Sequence, residues 1–264
     1  MAKGSYPQLV LFGDSLVERS VDLQDGFSMQ AALQSRFIRR LDVVNRGFSG
    51  WNTANAVKFL SSIFPEPTAT SPKLEYLVVL LGANDASLPL PTTAQHVPID
   101  QFKENLTKII THPNIQAHEP KILLVSPPPV DEMKLTRVDL ARGHECATRS
   151  SLISASYSEK VREVAREHPN VVLVDLWRAI MDKAISMAPN DYKTGGPWLG
   201  SRDNGNQGGL DHLLPDGLHM SGDAYRIFYD ELKGFIGQEW VNLADDDRTG
   251  YVFPDYRVLN PLKN

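Results

Sequence analysis

The chain has 264 residues, of which 42% are hydrophobic and 22% are charged, and its formal net charge is −5 at pH 7. This length and composition allow one large α/β domain or two smaller ones with a sizeable core. The acidic balance speaks against a general binder of nucleic acid or of anionic membranes, because such proteins present a basic face.

No apolar run reaches the length needed to span a membrane, and residues 1–7 are too short and polar for a secretory signal. We therefore expect a cytoplasmic protein with no membrane span and no nucleic-acid partner. The single cysteine, Cys146, excludes an internal disulfide and a multi-cysteine zinc site. A thiol nucleophile is an alternative, although residues 142–149 around Cys146 have the pattern of a polar helix.

The first predicted strand is the unbroken apolar run Leu9 to Phe12, which stops at Gly13. The absence of polar alternation is typical of a central parallel strand covered on both faces. Further strands are predicted at 41–45, 74–81, 122–126 and 171–176. Between them, apolar residues at helical spacing predict helices over 27–40 and along stripes at 57–64, 102–110, 157–165 and 225–236. Asp100 and Ser221 are the expected caps of two of these helices.

Strands that alternate with helices predict a parallel sheet with right-handed crossovers, and hence a three-layer α/β/α fold. We see no internal repeat or domain boundary and expect a single domain over 1–264. A glycine-rich insertion at 188–215 has the composition of a lid, a binding loop or a disordered segment. A C-terminal tail, 241–264, contains an acidic run at 245–247 and then aromatic residues that require burial on this domain or on a partner.

Three consecutive predicted strands end in small and polar residues. The motifs are Gly13-Asp14-Ser15, Gly47-Phe48-Ser49-Gly50 and Gly82-Ala83-Asn84-Asp85. Because the carboxyl ends of parallel strands meet at one edge of the sheet, where ligands bind, these motifs are expected to lie together. Acyl transfer requires a nucleophile, a base, a group that orients the base, and donors for the developing oxyanion.

The chain offers one candidate for each of these roles. Ser15 is the candidate nucleophile and His219 the candidate base, and Asp216 lies three residues earlier, within reach of one imidazole nitrogen. The amides of Ser15 and Gly50 and the carboxamide of Asn84 are candidate oxyanion donors. The sequence contains no Gly-x-Ser-x-Gly motif, which speaks against the α/β-hydrolase fold.

Candidate substrate-pocket residues are Phe48, Trp51 and Pro127, on the basis of their position at strand ends alone. Residues of the insertion are a further candidate for this pocket, because the insertion leads directly into Asp216.

Each candidate also has a plainer interpretation. Ser15 after an acid suits a loop or a helix cap, and Asp216-Gly217 suits a simple turn. A binding module could hold a phosphate of a flavin nucleotide at the first turn, although no phosphate-binding glycine motif is present. A metal site could combine His212, Asp216 and His219, but Pro215 and Gly217 interrupt the helix that would align them.

In this order, the four blocks resemble the SGNH hydrolases, the superfamily of GDSL-motif esterases and lipases. The matching residues are Gly13-Asp14-Ser15-Leu16, Asn45-Arg46-Gly47-Phe48-Ser49-Gly50, Gly82-Ala83-Asn84-Asp85 and Asp216-Gly217-Leu218-His219. The resemblance implies a flavodoxin-like sheet of five parallel strands. It also implies a Ser15–His219–Asp216 triad and an oxyanion hole formed by Ser15, Gly50 and Asn84.

Two further stretches, Gln95-His96-Val97-Pro98 and Pro127-Pro128-Pro129-Val130-Asp131-Glu132, resemble the isoamyl acetate-hydrolysing esterase branch. That branch implies a serine esterase of lipid metabolism that acts on acetate or short-chain esters through an acyl-enzyme on Ser15. No cofactor and no metal are expected, and the partner is a small-molecule ester, with a homodimer left open. A deacetylase or lipase acting on sugar acetates or lysophospholipids is an alternative, and a non-catalytic flavodoxin-like binding module is the alternative of another class.

Overall fold

The computed structural model describes residues 5–244 and 246–260. Its strands form one five-stranded sheet in the order β2-β1-β3-β4-β5, in which every neighbouring pair is parallel. The strands are β1 (Gln8–Gly13), β2 (Asp42–Gly47), β3 (Leu74–Leu80), β4 (Lys121–Val125) and β5 (Val171–Val174). In this flavodoxin-like order the connections diverge between β1 and β3, which opens a crevice at the carboxyl ends of these strands.

The α-helices of the described residues connect and cover the strands. They are α1 (Ser15–Glu18), α2 (Met29–Arg36), α3 (Thr53–Ile63), α4 (Ile99–Ile110), α5 (Pro113–Gln116), α6 (Glu132–Ala141), α7 (Ser151–Glu167), α8 (Leu176–Met187), α9 (Leu210–Leu213), α10 (Gly222–Lys233) and α11 (Tyr256–Leu259). Short 3-10 turns occur at Arg19–Val21, Pro189–Asp191 and Gln238–Trp240. In the part of the chain that the structure describes, no helix is long and apolar enough to cross a membrane.

Successive residues of the strands enter two separate hydrophobic layers. Leu9 and Leu11 of β1 belong to the layer that contains the apolar faces of α2, α8 and α10. Val10 and Phe12 belong to the opposite layer, with α3, α4 and α7. Because helices cover both faces, the central strands β1, β3 and β4 need no polar alternation, and this is why they are mainly apolar, whereas the edge strand β2 also carries polar residues. The predicted three-layer α/β/α fold is confirmed.

Several element boundaries differ from the predictions. Asp100 does not cap α4: Pro98 occupies the cap position, and Asp100 lies in the first turn, where its charge favours the helix dipole. The strand predicted to reach residue 176 stops at Val174, because the Asp175 side chain caps α8 by accepting from the Arg178 amide. Ser221 caps α10, as predicted.

Two predicted helical stretches are also wrong in extent. The helix predicted over 27–40 is limited to α2, and Arg39 has a positive φ of 64°. Residues 142–149 form no helix, because α6 ends at Ala141 and Gly143 turns the chain with a φ of 90°. The irregular segment that follows carries Arg149 toward the carboxyl edge of the sheet.

The glycine-rich insertion at 188–215 is folded onto the core. Leu199, Leu210 and Leu213 are fully buried in the layer that contains α8. The ring of Trp198 packs 4.9 Å from that of Trp177 and 5.6 Å from that of Tyr192. The insertion therefore extends the hydrophobic core, which composition alone does not reveal.

The described part of the tail packs against the connection from α2 to β2. The Val252 amide donates to the Arg39 carbonyl oxygen, and the Arg39 guanidinium donates to the carbonyls of Phe253 and Pro254. Tyr251 lies under the same guanidinium and is half-buried, whereas Tyr256 is 65% exposed. Within the acidic run, residue 245 lies outside the described residues.

Candidate active site

The turn after β1 places Ser15 at the carboxyl edge of the sheet. Ser15 is the first residue of α1, and the Asp14 Oδ1 caps this helix by accepting from the Leu16 amide at 2.9 Å. Gly13 is required here, because a Cβ at this position would lie 2.2 Å from the Leu80 carbonyl oxygen. The backbone therefore turns sharply, and the hydroxyl of Ser15 reaches the cavity above β1.

Ser15, His219 and Asp216 form a continuous hydrogen-bonded line. The Ser15 Oγ lies 3.0 Å from the His219 Nε2, and the His219 Nδ1 lies 2.6 Å from the Asp216 Oδ2. Because an ionised carboxylate only accepts, Nδ1 carries the proton of the neutral ring and Nε2 is left to accept from the hydroxyl. This is the arrangement that activates a serine toward a carbonyl carbon.

Asp216 is held in its ionised form. Burial raises the pKa of this carboxyl, but hydrogen bonds from the His219 side chain and from the amides of His219 and Leu218 outweigh it and hold the pKa well below its usual range. The two amide contacts measure 2.7 and 3.0 Å. The carboxylate is therefore available to stabilise an imidazolium.

The turn that carries Asp216 depends on Gly217. Its φ is +89°, and a Cβ there would lie 2.8 Å from the Asp131 carbonyl oxygen. The Gly217 carbonyl oxygen accepts from the Asp131 amide, and a side-chain oxygen of Asp131 accepts from Gln207 in the insertion. Gln207 of the insertion thus contacts Asp131 at the start of α6, and Asp131 in turn holds the turn that carries Asp216.

The three candidate oxyanion donors line the same cavity as Ser15 and His219. Gly50 has a φ of +81°, and its amide makes no hydrogen bond to any described residue. One hydrogen of the Asn84 carboxamide nitrogen is donated to the Trp51 carbonyl oxygen at 2.8 Å, which leaves the second hydrogen unused. The Ser15 amide, at the first position of α1, has no partner within the helix.

The cavity has a volume of about 300 Å³ and a polar lining. Besides the candidate nucleophile, base and oxyanion donors (Ser15, His219, Gly50 and Asn84), the residues that line it are Arg19, Ser49, Gln95, Arg142, Arg149 and Leu218.

The structure does not place Phe48, Trp51 or Pro127 in this lining, and no residue of 188–215 contributes to it. The Phe48 ring stacks on that of Trp51 with centroids 4.3 Å apart, and the Pro127 ring packs near Gly82. The aromatic side chains near the strand ends therefore contact each other, and position at a strand end does not predict which way a side chain faces.

Arg149 is the site residue that the sequence patterns miss. It is 7% exposed, and its Nη2 donates to the Asn84 Oδ1 at 2.9 Å and to the Gln95 Oε1 at 3.3 Å, while its Nε donates to the Ala83 carbonyl oxygen at 2.7 Å. Gln95 in turn donates to the Gly50 carbonyl oxygen at 3.0 Å. Arg149 therefore fixes the Asn84 carboxamide with its nitrogen directed away from the guanidinium. No local sequence signal marks this role.

Two buried carboxyls lie beneath the site. Burial raises the pKa of Asp14 to about 7 and that of Asp85 to about 6. Asp85 accepts from the amide and the hydroxyl of Thr53, at 2.9 and 2.5 Å, and so ties the turn after β3 to the start of α3. Both acids support turns.

The alternative nucleophile and the alternative metal site are not assembled. Cys146 is half-buried and does not line the cavity. His212 pairs with Asp223 through a 2.8 Å contact instead of joining Asp216 and His219. Across residues 5–244 and 246–260, no group of three or more His, Cys, Asp or Glu side chains could hold a metal ion.

A family model of the GDSL-like lipase/acylhydrolase family matches residues 11–227, a stretch that contains all four motifs. The chain belongs to this family. The SGNH/GDSL membership that the motifs predict is confirmed, and with it a hydrolase of the esterase and acylhydrolase class.

Several relatives of this GDSL-family chain are similar over most of its length. It is 30% identical over 236 residues to GDSL esterase/lipase At2g38180 of Arabidopsis thaliana, covering 89% of this chain but 65% of that protein. It is 32% identical over 176 residues to the isoamyl acetate-hydrolyzing esterase 1 homolog of Mus musculus, covering 65% and 67% of the two chains. The solved acetyl xylan esterase AlAXEase, 18% identical, superposes with a TM-score of 0.60 over 87% of this chain and 99% of that one, which supports the fold.

Proposed function

We propose that this GDSL-family protein is a serine esterase that hydrolyses small carboxylic esters through an acyl-enzyme on Ser15. The observation that carries the proposal is the line from Ser15 Oγ to His219 Nε2 and from His219 Nδ1 to Asp216, beside a cavity that Ser15 and His219 line together with the three candidate oxyanion donors. A nucleophile, a base, an orienting acid and preorganised donors are the complete requirement for acyl transfer.

In the first half of the reaction, the Ser15 Oγ attacks the ester carbonyl carbon while His219 Nε2 takes the hydroxyl proton. The carbonyl oxygen becomes an oxyanion that accepts from the amides of Ser15 and Gly50 and from the Asn84 carboxamide. Collapse of this intermediate expels the alcohol, which receives the proton from His219. Throughout, the ionised Asp216 stabilises the imidazolium.

In the second half, His219 removes a proton from water, which attacks the acyl carbon on Ser15. The carboxylic acid leaves, and the proton returns to the Ser15 Oγ through His219. No step uses a cofactor. The cavity volume of about 300 Å³ suits a short acyl group and a small alcohol.

A deacetylase of sugar acetates is the second candidate. The cavity walls favour it, because Leu218 carries the only apolar side chain among the described residues of the lining, and hydroxyl-rich alcohols need polar partners.

The proposal is tested with Ser15→Ala and His219→Ala, assayed on 4-nitrophenyl esters from acetate to octanoate. Ser49→Ala is the matched control, because Ser49 lines the same cavity but lies outside the triad. We expect each triad variant to lose about a thousandfold or more in kcat and the control to keep activity. Undiminished turnover in either triad variant contradicts the assignment, whereas activity confined to the shortest acyl groups supports the expected substrate size.

A further inference from the structure

Three arginine side chains line the cavity that contains Ser15. They are Arg19, Arg142 and Arg149, and the described residues of this lining include no aspartate or glutamate. This local excess of positive charge contrasts with the formal net charge of −5 of the whole chain. The cationic character therefore belongs to the cavity and not to the protein surface as a whole.

Arg19 and Arg142 have no partner for their charge. Both are exposed, and neither guanidinium makes an ion pair or a hydrogen bond with any residue that the structure describes. Two carboxylates of the same edge of the sheet have other partners: Asp216 accepts from His219, and Glu18 accepts from the Ser49 amide at 2.6 Å. Two guanidinium groups at the mouth of the cavity are thus free to contact a ligand.

Arg149 adds a positive charge at the inner wall. It is buried, and its hydrogen bonds go to neutral oxygens of Ala83, Asn84, Gln95 and Thr148, with no carboxylate of the described residues within ion-pair distance. Burial lowers the pKa of Arg149, and nearby carboxylates, Asp139 first, raise it. The positive charge of Arg142 lowers this pKa further, because the two like charges repel each other. An anion in the cavity would relieve this repulsion.

We propose that Arg19 and Arg142 make this site selective for esters whose alcohol part carries a carboxylate. The inference rests on the proposed esterase function and names the substrate class of the same site. An exposed guanidinium offers paired donors that match a carboxylate, and a cleft lined by one sign of charge concentrates substrates of the opposite sign. A purely aliphatic alcohol finds little apolar surface in this lining, since Phe48 and Trp51 stack on each other outside it.

The test compares 4-acetoxybenzoate with 4-acetoxybenzamide, two acetate esters of similar size that differ in one negative charge. The enzymes are wild type, Arg19→Gln, Arg142→Gln and the double variant. Arg46→Gln is the matched control, because Arg46 is also exposed, makes no ion pair with a described residue and does not line this cavity. Comparing each variant with wild type on both esters cancels the difference in their intrinsic reactivity.

We expect each single variant to lose about two- to fivefold in kcat/KM on the carboxylate ester, and the double variant about tenfold, with the amide ester unchanged. Added salt is expected to slow wild type on the carboxylate ester only, because exposed charges are screened. Equal losses on both esters, or no loss on either, overturn the inference. If wild type cleaves neither these esters nor the 4-nitrophenyl series, and a fluorophosphonate leaves Ser15 unmodified, the proposed function itself fails. Turnover through Ser15 without dependence on Arg19 and Arg142 refutes the selectivity alone.

Discussion

Arg149 is predicted to act on catalysis through Asn84. The change Arg149→Met removes the guanidinium and keeps an unbranched side chain of similar reach. The Asn84 Oδ1 then loses its 2.9 Å hydrogen bond and the Ala83 carbonyl its 2.7 Å one, and the carboxamide is held only by its contact with the Trp51 carbonyl oxygen. Asn84 is free to rotate its nitrogen away from the oxyanion.

The size of the effect follows from these contacts. Loss of one oxyanion donor costs about a hundred- to a thousandfold in kcat, and a donor that is misoriented part of the time costs less. We therefore expect Arg149→Met to lower kcat by about ten- to a hundredfold. The buried acceptors left without a donor lower the free energy of unfolding by about 3 kcal/mol.

The assay is a double-mutant cycle on kcat with Arg149→Met and Asn84→Ala, together with urea unfolding of each variant. If Arg149 is a positioning residue, its loss in the Asn84→Ala background changes kcat by less than about twofold, because the donor that it orients is already absent. Arg149→Lys keeps the charge, but its single nitrogen cannot reach the acceptors that Nε and Nη2 of the arginine contact separately, and it should restore little activity. Multiplicative losses in the double variant refute this role.

Three further predictions concern the same edge of the sheet. Asp216→Asn should keep the fold but lower kcat by about a thousandfold or more, since a carboxamide cannot stabilise the imidazolium; the measurement is kcat with circular dichroism as control. Gly217→Ala should lower the free energy of unfolding by about 1–3 kcal/mol in urea titrations, because its φ of +89° and the nearby Asp131 carbonyl oxygen exclude a Cβ. Burial raises the pKa of Asp14 to about 7, so the native state holds a proton that the unfolded chain releases near pH 4. The free energy of unfolding of wild type therefore falls as the pH rises from about 4 to about 7. Asp14→Asn should remove up to about 4 kcal/mol of this decline, measured as unfolding free energies at about pH 4 and about pH 8.

The sequence predicts the sheet well, because burial on both faces leaves a clear local signal. β1 contains the unbroken apolar run 9–12 and β3 the run 76–80; Gly13 ends β1, and Gly82 lies two residues after β3. The order of the four motifs along the chain, combined with the rule that parallel strands share a carboxyl edge, predicts that Ser15 and His219 meet. The structure brings them to 3.0 Å.

What the sequence does not predict depends on contacts between distant residues. Arg149 reaches Asn84 across 65 positions. The sequence pattern predicts a helix for the segment that contains Arg149, whereas in the structure Gly143 turns the chain there. Trp198 and Leu199 lie in the insertion, whose composition predicts a lid, a binding loop or a disordered segment, yet they pack on the core next to α8. Local composition carries no information about such tertiary partners.

The side chains that face the cavity follow the same rule. The position of Phe48 in a motif at a strand end predicts a pocket residue, but its ring stacks on Trp51 and does not line the cavity. The arginines that do line the cavity come from two separate segments, one after α1 and one between α6 and α7, and share no motif.

The central claim is that Ser15 is an activated nucleophile, and labelling of the intact chain with a fluorophosphonate tests it most directly. Mass spectrometry should find a single adduct per chain, located on Ser15 after digestion and absent from the Ser15→Ala and His219→Ala proteins. No adduct on the wild-type chain, or an adduct on another residue that persists in Ser15→Ala, would contradict the account.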